Sequence, residues 1–372
     1  MHVAIIGSGP SAFYTAHRLL KRLPTVRISF FERLSQPFGL VRFGVAPDHA
    51  AVKRCTSKFH SVLQDSRVTL HKATHIQSLG EISDADAIVI AIGAECEKRL
   101  QIPGESHCLT EAFGLFSSRS VVQWYNGHPE VNADVDAALA KAFTNVQSLL
   151  IVGMGNVALD IVRLLGMART CTKMEFPDLA LNAASTLLKA VQLKRITVVG
   201  RRGMLETAFT AAELRHVVGM DAFEIELEPP ILQTSLPAPS SKHQERMLGI
   251  WKSITPKSNA PLKLKFLFHS PPKEIVLSAD KSSIRGLVAG EECKFIEGQM
   301  IISSIGFTLR PDIFGLPQHN GRIVNDRGRV KEGIYVTGWC KSGPQGALND
   351  TMASAYETAD TLVADLTNKD VQ

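Results

Sequence analysis

A strand, a glycine turn and an amphipathic helix follow one another twice in this sequence, and few folds accommodate that pattern. Residues 3–12 read VAIIGSGPSA, an apolar run into GxGxxA, and the next stretch places Phe13, Ala16, Leu19, Leu20 and Leu23 on one helical face. Gly7 permits the tight turn, Gly9 lets a pyrophosphate approach the backbone, Ala12 leaves room for helix-to-strand packing, and Pro10 suits a first helical turn. Residues 149–166, LLIVGMGNVALDIVRLLG, repeat the grammar with Gly153, Gly155 and Ala158, and put Ile161, Leu164 and Leu165 on an apolar face. One such turn can serve packing alone. Two predict a pair of Rossmann-like dinucleotide-binding domains.

The strands that follow the two turns end differently. Residues 26–31 lead to Glu32, near the position, about 20 residues on, where a carboxylate bonds a ribose 2′-hydroxyl and repels a 2′-phosphate. Residues 196–200 lead instead to Arg201 and Arg202, whose guanidinium groups pair with phosphate, so this end suits NADP(H). Solvated surface arginines are the alternative. One carboxylate-type and one arginine-type site suit FAD and NADPH respectively, the cofactor pair of a flavoenzyme. An extra helix over about residues 179–191 fits between the second turn and its strand.

Residues 85–94, ADAIVIAIGA, form a buried strand that RLQIPGE (99–105) carries into a second domain; MIISSIGFTLRP (300–311) marks the return. GIYVTGW (333–339) and a helical stretch over 345–366 complete the chain. The predicted fold is α/β: two Rossmann-like three-layer dinucleotide-binding domains, an NADP domain (106–303) inserted into a discontinuous FAD domain (1–105 and 304–372). Residues 229–272, rich in Pro, Ser and Lys, suggest surface loops or a ribbon.

Composition excludes several functions. A chain of 372 residues that is 45% hydrophobic supports more than one core. Forty-one basic against 36 acidic residues leave +5, too dilute for a polyanion-coating protein, and no nucleic-acid module accompanies them. No apolar run approaches the roughly 18 residues of a transmembrane helix. Cys55, Cys96, Cys108, Cys171, Cys293 and Cys340 are scattered without a CxxC, against a disulfide scaffold, a dithiol redox pair or an all-cysteine metal site, so no metal is expected. The first strand starts at His2, which leaves no recognisable targeting segment: either the protein stays where it is made, or its presequence is removed or unusual.

Nine strings run through both presumed domains: GSGPSAFYTAHRLLK (7–21), PFGLVRFGVAPDH (37–49), IPGE (102–105), WYNGHPE (124–130), GNVALDI (155–161), RRG (201–203), FTAAELR (209–215), IGFTLRP (305–311) and GWCKSGPQG (338–346). In these the chain resembles the adrenodoxin reductase family, the mitochondrial-type ferredoxin-NADP reductases with bacterial relatives. The resemblance implies an enzyme that moves electrons from NADPH through FAD, singly, to a [2Fe-2S] ferredoxin. It implies that Ser11, Glu32 and Leu40 line the FAD adenosine and diphosphate, that Trp339 lies beside the isoalloxazine, and that Gly346, Ala347 and Leu348 offer it backbone contacts. It places Asn156 and Val157 on the NADP pyrophosphate, Arg201 and Arg202 on its 2′-phosphate, and Glu213 on its ribose or nicotinamide side. His49 resembles the active-site histidine, with Asp160 nearby. Ser11 stands where the family has alanine, Ala50 where it has proline, and Ser342 where arginine is common; the chain is also shorter than most members.

Orientation and dehydration of the two rings, rather than a protein nucleophile, should then dominate the chemistry. His49, Glu213 and Asp160 are the candidate catalytic side chains, each with a structural role as its alternative. Ferredoxins are acidic, so a local basic patch is expected, with Lys242, Arg246 and Lys252 as candidates on a helix whose apolar residues are Met247, Leu248, Ile250 and Trp251. A monomer is expected, in a mitochondrion or related organelle of a eukaryote or in bacterial cytoplasm. The rival functions are an electron-input subunit or small-molecule oxidoreductase resembling the glutamate synthase small subunit, and a catalytically silent dinucleotide-binding regulator.

Overall fold

The structure, a computed structural model, describes residues 1–108, 114–230, 238–255, 257, 259–346 and 348–369. It divides into two compact units, Met1–Lys98 with Gly306–Gln372, and Arg99–Ile305. Among the described residues no helix is long and apolar enough to cross a membrane.

In the first unit the strand His2–Ile6 lies between Arg27–Phe31 and Ala87–Ile90, parallel to both. Val68–His71 extends the sheet on one side; Ile334–Val336 and the antiparallel Arg329–Lys331 extend it on the other. Alternation along the first strand assigns its faces. Val3 and Ile5 join Phe13, Ala16, Phe30, Ala359 and Leu362, from the helices Pro10–Arg22 and Leu348–Lys369 and the next strand. Ala4 and Ile6 instead meet Ile313, Leu316, Ile323 and Cys340. Burial on both faces explains why a parallel strand reads HVAII rather than as an alternation of apolar and polar residues. Phe13 has no exposed surface and stacks on Phe30 and Phe59, each at 4.9 Å, so truncating it to alanine costs about 3–5 kcal/mol. An Arg18–Asp360 fork, both bonds 2.9 Å, ties the two helices together.

The second unit carries a six-stranded sheet in the order Leu115–Ser117, Met300–Ser303, Ser148–Val152, Arg195–Val199, Leu262–Leu267, Phe223–Glu228, every pair parallel. Leu149, Ile151, Ile196 and Val198 face the helical core. Leu150, Val152 and Ile301 face Ile275, Ile284, Leu287 and Ala289. Those residues belong to an antiparallel sheet of Pro272–Leu277, Ile284–Ala289 and Lys294–Glu297, so a second sheet covers this face. Leu100 and Ile102 pack on the same cluster, and the Pro103 carbonyl accepts from the Ile275 amide at 2.9 Å. The cut accordingly falls at Lys98, ahead of the IPGE string rather than after it.

The Pro-, Ser- and Lys-rich segment differs from expectation. Residues 231–237 lie outside the described set, but beyond them comes the helix Lys242–Lys252, and then Leu262–Leu267 enters the parallel sheet itself. LKLKFL is a period-two pattern: Leu262, Leu264 and Phe266 are buried, while Lys265 leans outward to Glu226 and Glu228. The lysines that suggested a loop are the solvent side of a strand. The extra helix spans Leu181–Lys189.

Candidate dinucleotide sites

Both glycine turns are built alike. Gly7 has φ +95°, and a Cβ there would stand 2.7 Å from the Ala91 carbonyl oxygen; Gly153 has φ +120°, and its Cβ would stand 2.1 Å from that of Ser304. The next glycines are the opposite case. Among the described residues a Cβ on Gly9 or Gly155 would meet no atom within 4 Å, so each leaves open space there at the head of a long helix, Pro10–Arg22 or Asn156–Thr170. Unpaired helix N–H groups and the helix dipole at that place favour an anion.

At the first turn Glu32 is 7% exposed and accepts from the Ser8 backbone (2.9 Å), the Ser8 hydroxyl (2.5 Å) and the Leu34 amide (2.9 Å). The loop that opens the PFGLVRFGVAPDH string packs on this turn. The Phe38 amide donates to the Ser8 carbonyl at 2.9 Å, and a Cβ on Gly39 (φ +48°) would lie 3.0 Å from the Gly9 Cα. Phe38 itself takes a positive φ while being buried, which marks PFG as a built turn. Leu40 then opens the one-turn helix Leu40–Phe43 and is exposed. Ser11 is buried against the backbone of Gly338, where a Cβ would come within 2.4 Å of its hydroxyl. The glycine at 338 is what leaves room for the Ser11 hydroxyl.

Gly338 leads into the one-turn helix Trp339–Ser342. Trp339 is half-buried and stacks on Phe307 with ring centroids 5.9 Å apart. On the same turn, buried Lys341 gives its ammonium to the Ser354 carbonyl, the Glu357 carboxylate (2.6 Å) and the Thr358 hydroxyl, fastening this turn to the helix that starts at Leu348. Gly346 precedes that helix with φ +82°; Ala347 lies outside the described residues. Burial pushes the neighbouring Cys340 thiol up to about 12, which makes it a packing group rather than a redox group. His49 stands before the helix Ala50–Lys53, its carbonyl accepting from Val52 and Lys53. Ala50 occupies the first helical position, which proline also tolerates.

At the second turn Asn156 is exposed on the first helical residue, and its side-chain oxygen accepts from the Thr210 amide at 2.8 Å; Val157 beside it is half-buried. Arg201 and Arg202 are exposed just beyond the strand Arg195–Val199. Asp160 and Glu213 come together on a residue that sequence reasoning missed: Arg163, with no exposed surface, donates to each at 2.7 Å. The signal was a lone arginine within the apolar run LDIVRLL. Of the candidate basic patch, Lys242, Arg246 and Lys252 are exposed. Met247, Ile250 and Trp251 are buried, with Trp251 set edge-on to Phe266 and Phe268. The apolar side of this helix is core.

No family model matches the chain. Among curated proteins, the probable NADPH:adrenodoxin oxidoreductase, mitochondrial, of Schizosaccharomyces pombe is 33% identical over 405 residues, covering 99% of this chain and 82% of that protein. The chain belongs to the adrenodoxin reductase family. The family likeness takes in bacterial members: NADPH-ferredoxin reductase FprA of Mycobacterium tuberculosis is 32% identical over 408 residues, covering 99% of this chain and 84% of its own length. The solved structure of FprA in complex with NADPH superposes with a TM-score of 0.84 at 29% identity, over 99% of this chain and 84% of that one. Thioredoxin reductase of T. acidophilum, at 15% identity and a TM-score of 0.54, shares the fold alone. Because the alignment to these adrenodoxin reductase relatives spans nearly the whole chain, it includes both glycine turns, the PFG loop and the Trp339 turn.

Proposed function

We propose that this chain is an NADPH-dependent ferredoxin reductase of the adrenodoxin reductase type, in which the first unit holds FAD and the second, inserted within it, holds NADPH. The observation that carries this assignment is the paired opening at Gly9 and Gly155, each at a helix N-terminus, with a buried carboxylate bonded to the first turn and exposed arginines beyond the strand after the second.

The residues present fit both groups. Gly7, Gly9, Pro10 and Ser11 shape a turn whose amides face the FAD pyrophosphate. Glu32 has lone pairs beyond those used by Ser8 and Leu34, and these accept from ribose hydroxyls. Leu40 covers the adenosine end, and the Trp339 turn with Gly346 and Leu348 holds the isoalloxazine end. In the second unit Gly153, Gly155, Asn156 and Val157 take the NADP pyrophosphate, and Arg201 and Arg202 take the 2′-phosphate. Glu213 orients the nicotinamide or its ribose, His49 hydrogen-bonds near the flavin ring, and Asp160 supports that end.

FAD, when bound, accepts two electrons from NADPH and releases them one at a time. The chain's own contribution is to fix the rings and exclude water from them. Exposed Lys242, Arg246 and Lys252 offer positive charge to an acidic [2Fe-2S] ferredoxin, met by the protein as a monomer. A location in a mitochondrion or related organelle of a eukaryote, or in bacterial cytoplasm, is supported by relatives named as mitochondrial and by a bacterial relative.

Anaerobic stopped-flow mixing tests the assignment. NADPH should bleach the flavin, and a [2Fe-2S] ferredoxin added next should reoxidise it rapidly. Bleaching without reoxidation would remove ferredoxin as the acceptor, and no flavin spectrum after FAD reconstitution would remove the enzyme class altogether.

A further inference from the structure

We propose that Arg163 is the positioning residue that sets the Glu213 carboxylate for the nicotinamide end of NADP, an inference that rests on the role assigned to Glu213 above.

Arg163 is fully buried and spends its guanidinium on two acidic partners, Nη1 to Glu213 and Nη2 to Asp160, each at 2.7 Å. Asp160 lies one turn earlier on the same helix, whereas Glu213 belongs to a different one, Ala211–Gly219. The fork therefore joins two elements rather than closing within one. A second tether runs parallel to it. Asn156, at the head of the first helix, accepts from the Thr210 amide at 2.8 Å, and the Thr210 hydroxyl accepts from the Glu213 amide at 3.3 Å. Glu213 is thus held by its backbone through Asn156 and by its side chain through Arg163, both on the helix that begins at the second glycine turn.

This arrangement transfers the position of the pyrophosphate turn to the Glu213 carboxylate. A guanidinium suits the task because its planar fork serves two carboxylates in fixed directions, which a lysine ammonium on a flexible stem does not. Arg163 has no exposed surface through which to touch a ligand itself, so it acts only through its partners.

The test uses the FAD-loaded protein with R163K, E213Q, the double variant and T210A. NADP+ and adenosine 2′,5′-bisphosphate are titrated calorimetrically, the second ligand reporting only the adenosine end. R163K should weaken NADP+ by about tenfold, the scale of one charged hydrogen bond, while adenosine 2′,5′-bisphosphate changes by less than about twofold. In the E213Q background R163K should add nothing. T210A, which cuts the parallel tether at the Thr210 hydroxyl and removes no buried charge, should shift NADP+ the same way by a smaller factor; R163Q, which keeps an N–H donor at this position, carries the test if R163K does not fold.

Equal weakening of both ligands by R163K, full additivity with E213Q, or wild-type NADP+ binding in R163K (or in R163Q, where R163K does not fold) while E213Q is impaired overturns the role of Arg163. Wild-type binding by E213Q itself would instead overturn the assignment of Glu213 to the nicotinamide end, and the inference with it.

Discussion

Glu32 accepts from Ser8 twice, at 2.9 Å from its amide and 2.5 Å from its hydroxyl, so the carboxylate that ends the second strand is tied to the first glycine turn itself. Ser8 has no exposed surface. Replacing Glu32 with alanine leaves a buried amide and hydroxyl without that acceptor, at about 1–3 kcal/mol. E32A should therefore melt earlier and emerge from purification depleted of flavin. Wild-type Tm together with full flavin content would contradict this dual role.

Gly153 and Gly155 should separate folding from binding. G153A forces a side chain into φ +120° and within 2.1 Å of the Ser304 carbonyl, so the Ser148–Val152 strand end must shift; conformational strain alone costs of order 1–3 kcal/mol. Gly155 has an ordinary extended φ of −117° and free space above it. G155A should keep the wild-type Tm and flavin spectrum while NADPH affinity falls, because the methyl occupies the place of the pyrophosphate. Differential scanning calorimetry and NADPH titration of the pair distinguish the two effects.

Arg201 and Arg202 are exposed, so their double alanine variant should fold normally. NADPH loses its charge-assisted contacts and NADH loses almost nothing, so the ratio of kcat/KM values for the two cofactors should fall by about tenfold or more for each lost phosphate pair. An unchanged ratio would show both arginines to be solvated surface charges.

Local grammar made much of this legible. Each glycine turn needs only a strand, three small residues and a helix in sequence, and all of these lie within a short window. The positions of Glu32, Arg201 and Arg202 just beyond strand ends were legible, because each strand is an apolar run that stops at them. Arg163 was not, because its meaning depends on Glu213, which reaches it from another helix. Leu262–Leu267 escaped for a different reason: a strand whose outward residues are lysines resembles a charged loop until its neighbours Phe223–Glu228 supply the glutamates. The PFG loop shows a third limit. Its glycine is plain in the sequence, but only the fold brings the Gly39 backbone up to Gly9.

His17 should give the protein a mildly acid-sensitive seam. It lies on the helix Pro10–Arg22, its ring stacked 6.2 Å from that of Tyr356 and its Nδ1 3.3 Å from the Tyr356 hydroxyl on the C-terminal helix. Burial lowers its pKa first, and the charges of Lys21, Lys58 and Arg18 lower it further. The folded state thus favours neutral imidazole, while the unfolded chain titrates near the ordinary value of about 6.5. Between the folded pKa and that value the unfolded state binds more protons, so stability rises with pH through the window. It is fully present above about 6.5, is lost as pH falls through the unfolded value, and levels off once pH lies below the folded pKa. Asp360, held down chiefly by its bond to Arg18, loses its contribution only at lower pH, as a carboxylate does. H17Q should accordingly flatten the dependence of Tm on pH between about 7.5 and 5, relative to the wild-type protein. An equal slope in both proteins over that range would show that His17 titrates alike in the folded and unfolded states.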